Sequence, residues 1–396
     1  MKIIQEQQGQ TSSMSSALRL SIALAFGAFI MIGANDGALG VLLPGIGAHF
    51  NVNKATLGLL FLASTFGYLI SSFNNGLLTE KLGDRLSLII GTSLFLLGAG
   101  TVSLMLPFAV TLIAFFCIGM GIASIDAGLN SYIASLPRNT SLLNYLHAFY
   151  GVGAWLGPAL ASSLLAIRWG WNNIYLIWVG LSLVVLLGLG TIFRNTTVVQ
   201  KNEARAEGNL MVETLKLRVV WLAALFLCFY VGTEVSLGSW SYSFLTEERH
   251  GSALFSGWIV SGYWLGLTLG RVLLGHVAQR IGNKRMIEGC LVGVVTGIAL
   301  VWLAPSPIVS AIGLALTGFC LGPIFPTTIA LMSTLVSSRV LPGAVGFLAS
   351  LGSMGAALFP WLEGNLAQGI GLWSLLPFVV ILTLCMLGLW VSLQRA

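Results

Sequence analysis

The sequence predicts an all-α membrane protein in which twelve spanning helices form two pseudo-repeated six-helix bundles. The first observation is composition: apolar residues make up 56% of the 396 residues and charged residues only 8%, with a mean hydropathy of +0.91. The second is that apolar runs long enough to cross a bilayer recur along the chain. The third is that a loop motif of the first half reappears at the matching place in the second half.

The composition excludes several other classes of protein. A water-soluble domain is roughly 25% charged, and this chain has too few charged residues to cover its surface. Its apolar content is too high for a disordered chain, and its five Cys are too few for a disulfide scaffold. The net charge of +6 does not indicate nucleic-acid binding, because the basic residues lie in short gaps between apolar runs. The polar stretch 1–16 lacks the cleavage pattern of a signal peptide, so the first apolar run is expected to be a retained helix.

A spanning helix needs about 20 mostly apolar residues. Twelve such runs can be drawn, at 18–43, 54–79, 86–106, 108–135, 142–167, 171–194, 215–245, 252–279, 285–304, 307–335, 341–368 and 372–393. They are too long and too continuously apolar for the strands of a β-barrel. The polar stretch 195–214 divides six runs from six, which predicts bundles at 1–194 and 215–396 joined by a cytoplasmic linker.

The positions of Lys and Arg predict the orientation. Most of the 19 Lys and Arg residues fall on the cytoplasmic side if the N-terminus is placed there. Lys54, Arg168 and Arg249 fall on the other side, and Arg271 lies within a predicted helix. The positive-inside rule therefore places both termini in the cytoplasm, with the chain in the inner cell membrane.

The two halves repeat. Residues 76–85 (GLLTEKLGDR) follow the second predicted helix, and residues 275–284 (GHVAQRIGNK) follow the eighth, 199 positions later. Glycine pairs recur at nearly the same offset: Gly33 with Gly232, and Gly153 with Gly355. A six-helix unit used twice in the same orientation is a known arrangement of transporter halves.

The loop at 76–85 resembles the signature of the major facilitator superfamily between helices two and three, Gly-x3-Asp-Arg/Lys-x-Gly-Arg/Lys. It departs from that signature at Glu80 and Asp84. The resemblance extends over nearly the whole chain and implies alternating access, in which the halves rock about a midplane site. It also implies that loop charges latch the halves together in one state; the alternative is a solvated loop without a gating role. The candidate gating residues are Gly76, Glu80, Lys81, Gly83, Asp84, Arg85, Arg271, Gly275 and Arg280.

Three carboxylates lie well inside predicted helices: Asp36, Asp126 and Glu234. A carboxylate at the bilayer centre costs roughly 2.5–3.5 kcal/mol on insertion scales. Such a residue is rarely kept without a water-filled cavity, a cation or a transported proton, so we expect the three to couple transport to protons. The alternative is a carboxylate that is bonded to polar neighbours and fixes helix packing. Arg271 is a candidate partner for one of them; the alternative is an Arg whose side chain extends along the helix to the membrane interface.

Polar residues share one face of two helices in the first half. Asp126 and Asn130 are four apart, and His147 and Tyr150 are three apart, with Asn144 on the same face. Together with Asn35 beside Asp36, these groups suit a solute with many hydroxyls, such as a sugar. The alternative for His147 is a hydrogen bond between helices.

Three segments resemble the fucose permease branch of the superfamily, the fucose–galactose–glucose:proton symporters. Asn-Asp at 35–36 precedes a Leu-Pro, an acid begins the segment 126–130 that ends in Asn, and 144–149 reads Asn-x-x-His-x-Phe where the branch has Asn-x-x-Gln-x-Phe. The resemblance implies that Asp36 and Asp126 are linked to substrate or proton. It also implies that Asn144 and His147 face the substrate.

The second half offers fewer polar groups. Glu234 is expected to bind solute directly, and Trp240 and Trp264 to stack on the C–H face of a sugar. The alternative for each Trp is packing or a place in the interfacial aromatic belt.

The segment 153–162, Gly-x3-Gly-Pro-x2-Ala-Ser, supports a second function. It resembles a motif of drug:proton antiporters, and its small residues are expected to let helices five and eight pack closely. Efflux of amphipathic compounds is therefore the alternative to sugar uptake, and a receptor that does not transport is a third possibility. The sequence has no nucleophile–base pair, nucleotide-binding loop or metal-ligand spacing, so neither an enzyme nor a cofactor is expected. The expected partners are a sugar-like solute, protons and the lipid bilayer around a monomer.

Overall fold

The computed structural model describes residues 16–136, 139–193, 210–304 and 306–395, and these are almost entirely helical. We number the long helices α1 to α12. They are α1 Ser16–Phe50; α2 and α3, the limbs 59–82 and 84–103 of one helix Leu59–Ser103; α4 Phe108–Ala134; α5 Asn139–Ala166; α6 Trp171–Thr191; α7 Arg218–Ser243; α8 Ala253–Ile281; α9 Asn283–Leu303; α10 Pro307–Leu321 with its continuation Ile324–Leu335; α11 Leu341–Ile370; and α12 Leu375–Gln394. Shorter helical segments are Lys54–Leu57, Leu210–Leu215, the π-helical turn Phe244–Glu248 and the 3-10 turn Leu372–Ser374.

Length and apolar character match the predicted spans. Within the described ranges, 10 stretches are long and apolar enough to cross a membrane. One of them, Lys54–Ser103, contains both α2 and α3, and the more polar helix α8 falls outside the 10. Each of the twelve predicted runs therefore corresponds to one helix, and the predicted fold class is confirmed.

The predicted repeat appears in the backbone of the two motif loops. Gly83 turns the chain between α2 and α3 with φ 79°, and Gly282 turns it between α8 and α9 with φ 87°. Only glycine adopts this left-handed region without a steric penalty. The two glycines are 199 positions apart, so the sequence repeat reproduces the same bend.

The repeat also appears in how the helices pack. A Cβ on Gly33 of α1 would collide with the carbonyl oxygen of Tyr150 on α5. In the second half, a Cβ on Gly355 of α11 would collide with the carbonyl oxygen of Cys228 on α7. Glycine lets two helix backbones approach closely in a membrane. Contact between α1 and α5 in one half thus matches contact between α7 and α11 in the other.

The halves contact each other near the end of α1 at residue 50, which we call the outer end. Gly40 of α1 lies against the backbone of Gly238 on α7. Lys54 forms a 2.8 Å ion pair with Glu247, and its backbone N–H donates to Gln368 Oε1 at 3.2 Å. These contacts join α1 and the short helix Lys54–Leu57 to α7, the turn Phe244–Glu248 and α11, so the halves are closed at the outer end.

The small residues of α5 divide between two partners. Ser162 lies against Gly257 of α8, as predicted for close packing of helices five and eight. Gly153 and Gly157 instead face α1, where a Cβ on Gly157 would collide with the carbonyl of Ala34. The predicted close packing of helices five and eight is therefore made through Ser162, whereas the two glycines lie on the opposite side of α5 and bring it close to α1.

Candidate functional site

Asp36 lies in the middle of α1 and is held by two neutral donors. Tyr150 donates its hydroxyl to Asp36 Oδ2 at 2.9 Å, and Asn35 Nδ2 donates to Oδ1 at 3.1 Å. The contact of Gly33 with the Tyr150 backbone is what brings α5 close enough for this bond. Asp36 remains partly exposed, so water or a solute can reach it.

Asp126 on α4 has the same kind of environment. Tyr68 of α2 donates its hydroxyl to Asp126 Oδ2 at 3.0 Å, and Asn130 Nδ2 donates to Oδ1 at 2.8 Å. Close packing of α2 on α4 sets the first bond, since a Cβ on Gly67 would collide with the Phe116 carbonyl. Asp126 and Asn130 are both partly exposed.

These two carboxylates lie close to each other and to α5. The charges of Asp36 and Asp126 are near enough to interact, as are those of Asp126 and His147. His147 and Asn144 are exposed on α5. The polar residues described so far form what we call the first-half cluster: Asp36, Tyr68, Asp126, Asn130, Asn144, His147 and Tyr150. Within the described residues, each carboxylate oxygen accepts from a neutral group, so a proton can be gained without breaking a salt bridge.

The second half contributes an ion pair. Arg271 Nη2 of α8 lies 3.3 Å from Glu234 Oε1 of α7, and Tyr263 donates its hydroxyl to the Glu234 carbonyl at 2.8 Å. The charge of Arg271 also reaches Tyr150 and His147. The predicted membrane carboxylate partner of Arg271 is thus Glu234, and the pair faces the first-half cluster rather than the loop between α2 and α3.

Trp240 and Trp264 are packed in this conformation. Trp240 is 1% exposed, donates Nε1 to the Pro360 carbonyl at 2.9 Å and lies 6.4 Å from the Phe61 ring, at the outer end. Trp264 is 6% exposed and lies against Gly238. Both rings are covered by other parts of the protein, so in this conformation neither presents a face on which a solute could stack.

The residues of the loop between α2 and α3 have different surroundings. Glu80 and Lys81 are exposed, and Asp84 is buried. Arg85 donates to two backbone carbonyls at the end of α6, one of them through Nε at 2.9 Å. A cation at the C-terminus of a helix is favourable for its unpaired carbonyls. Arg85 therefore fixes the loop to α6 within the first half.

The matching loop in the second half is less enclosed. A Cβ on Gly275 would meet open space, and the same holds for Gly76 in the first half. Arg280 is exposed at the end of α8. In this conformation, therefore, no other helix packs closely against Gly76 or Gly275.

Two polar residues were missed by sequence reasoning. Tyr68 had no signal beyond its place in a predicted helix. Glu363 of α11 lies inside a predicted span, the same signal that identified Asp36. It is fully buried, and its Oε1 accepts from Ser374 Oγ at 2.9 Å, whereas Oε2 has no partner among the residues described. In the described part of the chain, no three acidic, His or Cys side chains are placed to hold a metal ion.

The family profile of the Major Facilitator Superfamily matches residues 24–244 and again 222–395. Among curated proteins, Bypass of stop codon protein 6 of Saccharomyces cerevisiae is 25% identical, covering 90% of this chain and 78% of that protein. The glucose/mannose transporter GlcP of Bacillus subtilis is 23% identical, covering 93% and 91%.

Solved structures share the fold over nearly the full length. A bacterial homolog of the human lysosomal transporter Spinster, in an inward-facing and unoccupied conformation, gives a TM-score of 0.80 at 15% identity, covering 97% of this chain and 98% of that one. The transporter FucP in its outward conformation gives 0.64 at 19% identity, covering 95% and 98%.

Proposed function

Because this chain belongs to the Major Facilitator Superfamily, and is thus a multi-pass secondary transporter, we propose that it takes up a monosaccharide-like polar solute together with protons. The observation that carries the proposal is the pair of partly exposed carboxylates, Asp36 and Asp126, each held by two neutral donors at the centre of the helices. The names of two similar proteins, a glucose/mannose transporter and a fucose:proton symporter, support the solute class and the coupling ion.

Asp36 and Asp126 are the proposed proton sites. Protonation turns one carboxylate oxygen into a donor, and the neighbouring Tyr hydroxyl can then accept instead of donate. The bond therefore persists in both protonation states with its direction reversed. Asn130, Asn144 and His147 are the proposed partners of solute hydroxyls, since each is at least partly exposed beside these acids.

The closed outer end supports an inward-facing state. With the N-terminus in the cytoplasm, as the basic residues predict, the outer end faces outside. We propose that halves 1–194 and 215–396 rock about the linker 195–214, and that the exposed Glu80 and Lys81 engage the other half when the inner end closes.

The test is proton-coupled uptake into proteoliposomes that contain the purified full chain. Addition of D-glucose, D-mannose or L-fucose to a weakly buffered suspension should make the external medium more alkaline as protons enter with the solute. Asp36→Asn and Asp126→Asn should each reduce accumulation driven by a pH gradient about tenfold, or ~1.4 kcal/mol. The matched control is Glu363→Gln, which alters a buried carboxyl outside the cluster and should leave accumulation unchanged.

Two outcomes would overturn this proposal. If both Asn variants keep accumulation driven by a pH gradient, the protons do not pass through these acids. If cells overproducing the chain gain resistance to amphipathic compounds while the vesicles take up no sugar, the function is efflux.

A further inference from the structure

The ion pair of the second half presents its cation to the centre of the molecule. The Arg271 side chain is 34% exposed, and the Glu234 side chain only 11%. A solute that reaches this ion pair therefore contacts the Arg271 guanidinium before the Glu234 carboxylate. Since Arg271 also lies near Tyr150 and His147, the same solute would be in reach of the first-half cluster.

The pair leaves most of the hydrogen-bonding capacity of Arg271 unused. A guanidinium has five N–H donors in a planar fork that fits a carboxylate with two parallel bonds. Glu234 takes one of them, through a single 3.3 Å contact, and the Tyr230 hydroxyl lies beside the guanidinium. The Nε of Arg271 is buried without an acceptor in the described chain, so the donors that a solute can reach belong to the exposed part of the guanidinium. A purely structural ion pair would be expected to use the fork, so this geometry leaves room for a second anion.

The first-half acids are poorly suited to bind a cation. Both oxygens of Asp36 and both oxygens of Asp126 already accept from Tyr or Asn donors. A cationic solute would have to share those oxygens with the donors already bound to them, whereas an anionic one would find unpaired donors on Arg271. The site thus has two sides: Asp36 and Asp126 of the first half can bind protons, and Arg271 of the second half can bind an anion.

We propose that the solute is a monosaccharide-sized acid, a uronate or an aldonate, whose carboxylate binds Arg271 while its hydroxyls face α4 and α5. This rests on the proposed function and names the solute class of the same site. Uptake with protons then has an electrostatic reason. An anion that enters a site containing three acidic residues is repelled unless one of them is neutralised, and protonation of Asp36 or Asp126 provides that.

The experiment compares sugars that differ at one carbon. Proteoliposomes containing the full chain would be given radiolabelled D-glucose or D-glucuronate, and D-galactose or D-galacturonate, under the same pH gradient. We expect saturable uptake of an acid at a rate at least about tenfold above that of its neutral partner, a difference of ~1.4 kcal/mol. The same acid should raise the melting temperature of the purified protein.

The variants separate binding from folding. The double variant Glu234→Gln with Arg271→Gln removes both charges, so neither is left alone in the membrane. It should raise the KM for the acid at least about tenfold and abolish the thermal shift. Arg271→Lys keeps the charge without the fork and should give an intermediate KM.

Two results would overturn the inference. Equal uptake of glucose and glucuronate, with no effect of the double variant, would show that Arg271 binds no solute anion while leaving proton-coupled sugar uptake intact. Absence of proton-linked uptake for all four compounds would overturn the proposed function together with this inference.

Discussion

The two halves share their helix packing but not their polar chemistry. At the repeat offset of 199 residues, Gly33 corresponds to Gly232 and Gly83 to Gly282, whereas Asp36 corresponds to Val235 and Asp126 to Phe325. The first half holds its acids with neutral Tyr and Asn donors, and the second half pairs its acid with Arg271. The repeat thus preserves glycines at turns and at tight helix contacts, whereas the acids of the first half have no acidic counterpart at this offset in the second.

This division assigns a separate task to each half. Neutral donors let Asp36 and Asp126 change protonation state without leaving an opposite charge unpaired. Removal of the charge from Glu234 would leave Arg271 without its partner in the membrane. We infer that the first half handles protons and the second half handles a fixed charge. Three comparisons of variants test this difference between the halves: a pair of glycines, a pair of acids, and two substitutions of one buried acid.

The largest expected effect is on the paired glycines. Gly33→Ala places a Cβ against the Tyr150 carbonyl oxygen, which cannot move without shifting α5, whereas Gly232→Ala meets the Phe359 side chain, a contact that can yield without a shift of the backbone. We expect Gly33→Ala to lower the free energy of unfolding by about 3 kcal/mol and Gly232→Ala by about 1 kcal/mol. Thermal unfolding of both proteins in the same detergent measures the difference.

The control for this pair is Gly27→Ala, also in α1. A Cβ there meets nothing within 4 Å, so its unfolding temperature should match the parent protein. Equal losses for Gly33→Ala and Gly232→Ala would show that both contacts are equally rigid and would remove this difference between the halves.

The second effect compares two acids. Glu234→Gln leaves the Arg271 charge without its partner and should lower the free energy of unfolding by about 2 kcal/mol, less than for a fully buried pair because Arg271 is 34% exposed. Asp36→Asn leaves neutral neighbours whose hydroxyl can accept as well as donate, so we expect a loss below about 1 kcal/mol. Thermal or denaturant unfolding in detergent compares the two variants directly.

The control is the double variant in which Glu234 and Arg271 both become Gln. It should recover much of the stability lost in Glu234→Gln, since no charge is left alone. If the double variant is no more stable than Glu234→Gln, the ion pair is not what stabilises this part of the second half.

The fold was predictable because lipid cannot hydrogen-bond to the backbone, so a spanning segment must be a helix or a strand of a closed barrel. The apolar runs of this chain are too long and too continuous for barrel strands, which leaves helices. The bends at Gly83 and Gly282 were also visible as a repeated motif. The partner of each helix face was not predictable. Small residues at 153 and 157 indicate a close contact, but the sequence does not say whether α1 or α8 makes it.

Part of the candidate site was predictable, because a charged residue inside an apolar run can be recognised in the sequence. Asp36, Asp126 and Glu234 were identified in this way, and for Arg271 pairing with a membrane acid was one of two alternatives. Tyr68 was not found, because its bond to Asp126 depends on the packing of α2 against α4. Trp240 could not be assigned, since an indole ring suits a sugar-binding wall and a packed contact equally well.

The smallest expected effect is at Glu363, which lies inside an apolar run as the proposed proton sites do. It is fully buried and accepts a bond from Ser374 within the second half, on the turn between α11 and α12. Glu363→Gln keeps that acceptor, and we expect it to change the free energy of unfolding by less than about 0.5 kcal/mol. Glu363→Leu removes the acceptor and should lower it by about 1 kcal/mol, measured in the same unfolding assay. A loss of proton-driven uptake in a stably folded Glu363→Gln protein would show that the second half also carries protons, and the division of tasks between the halves would then be wrong.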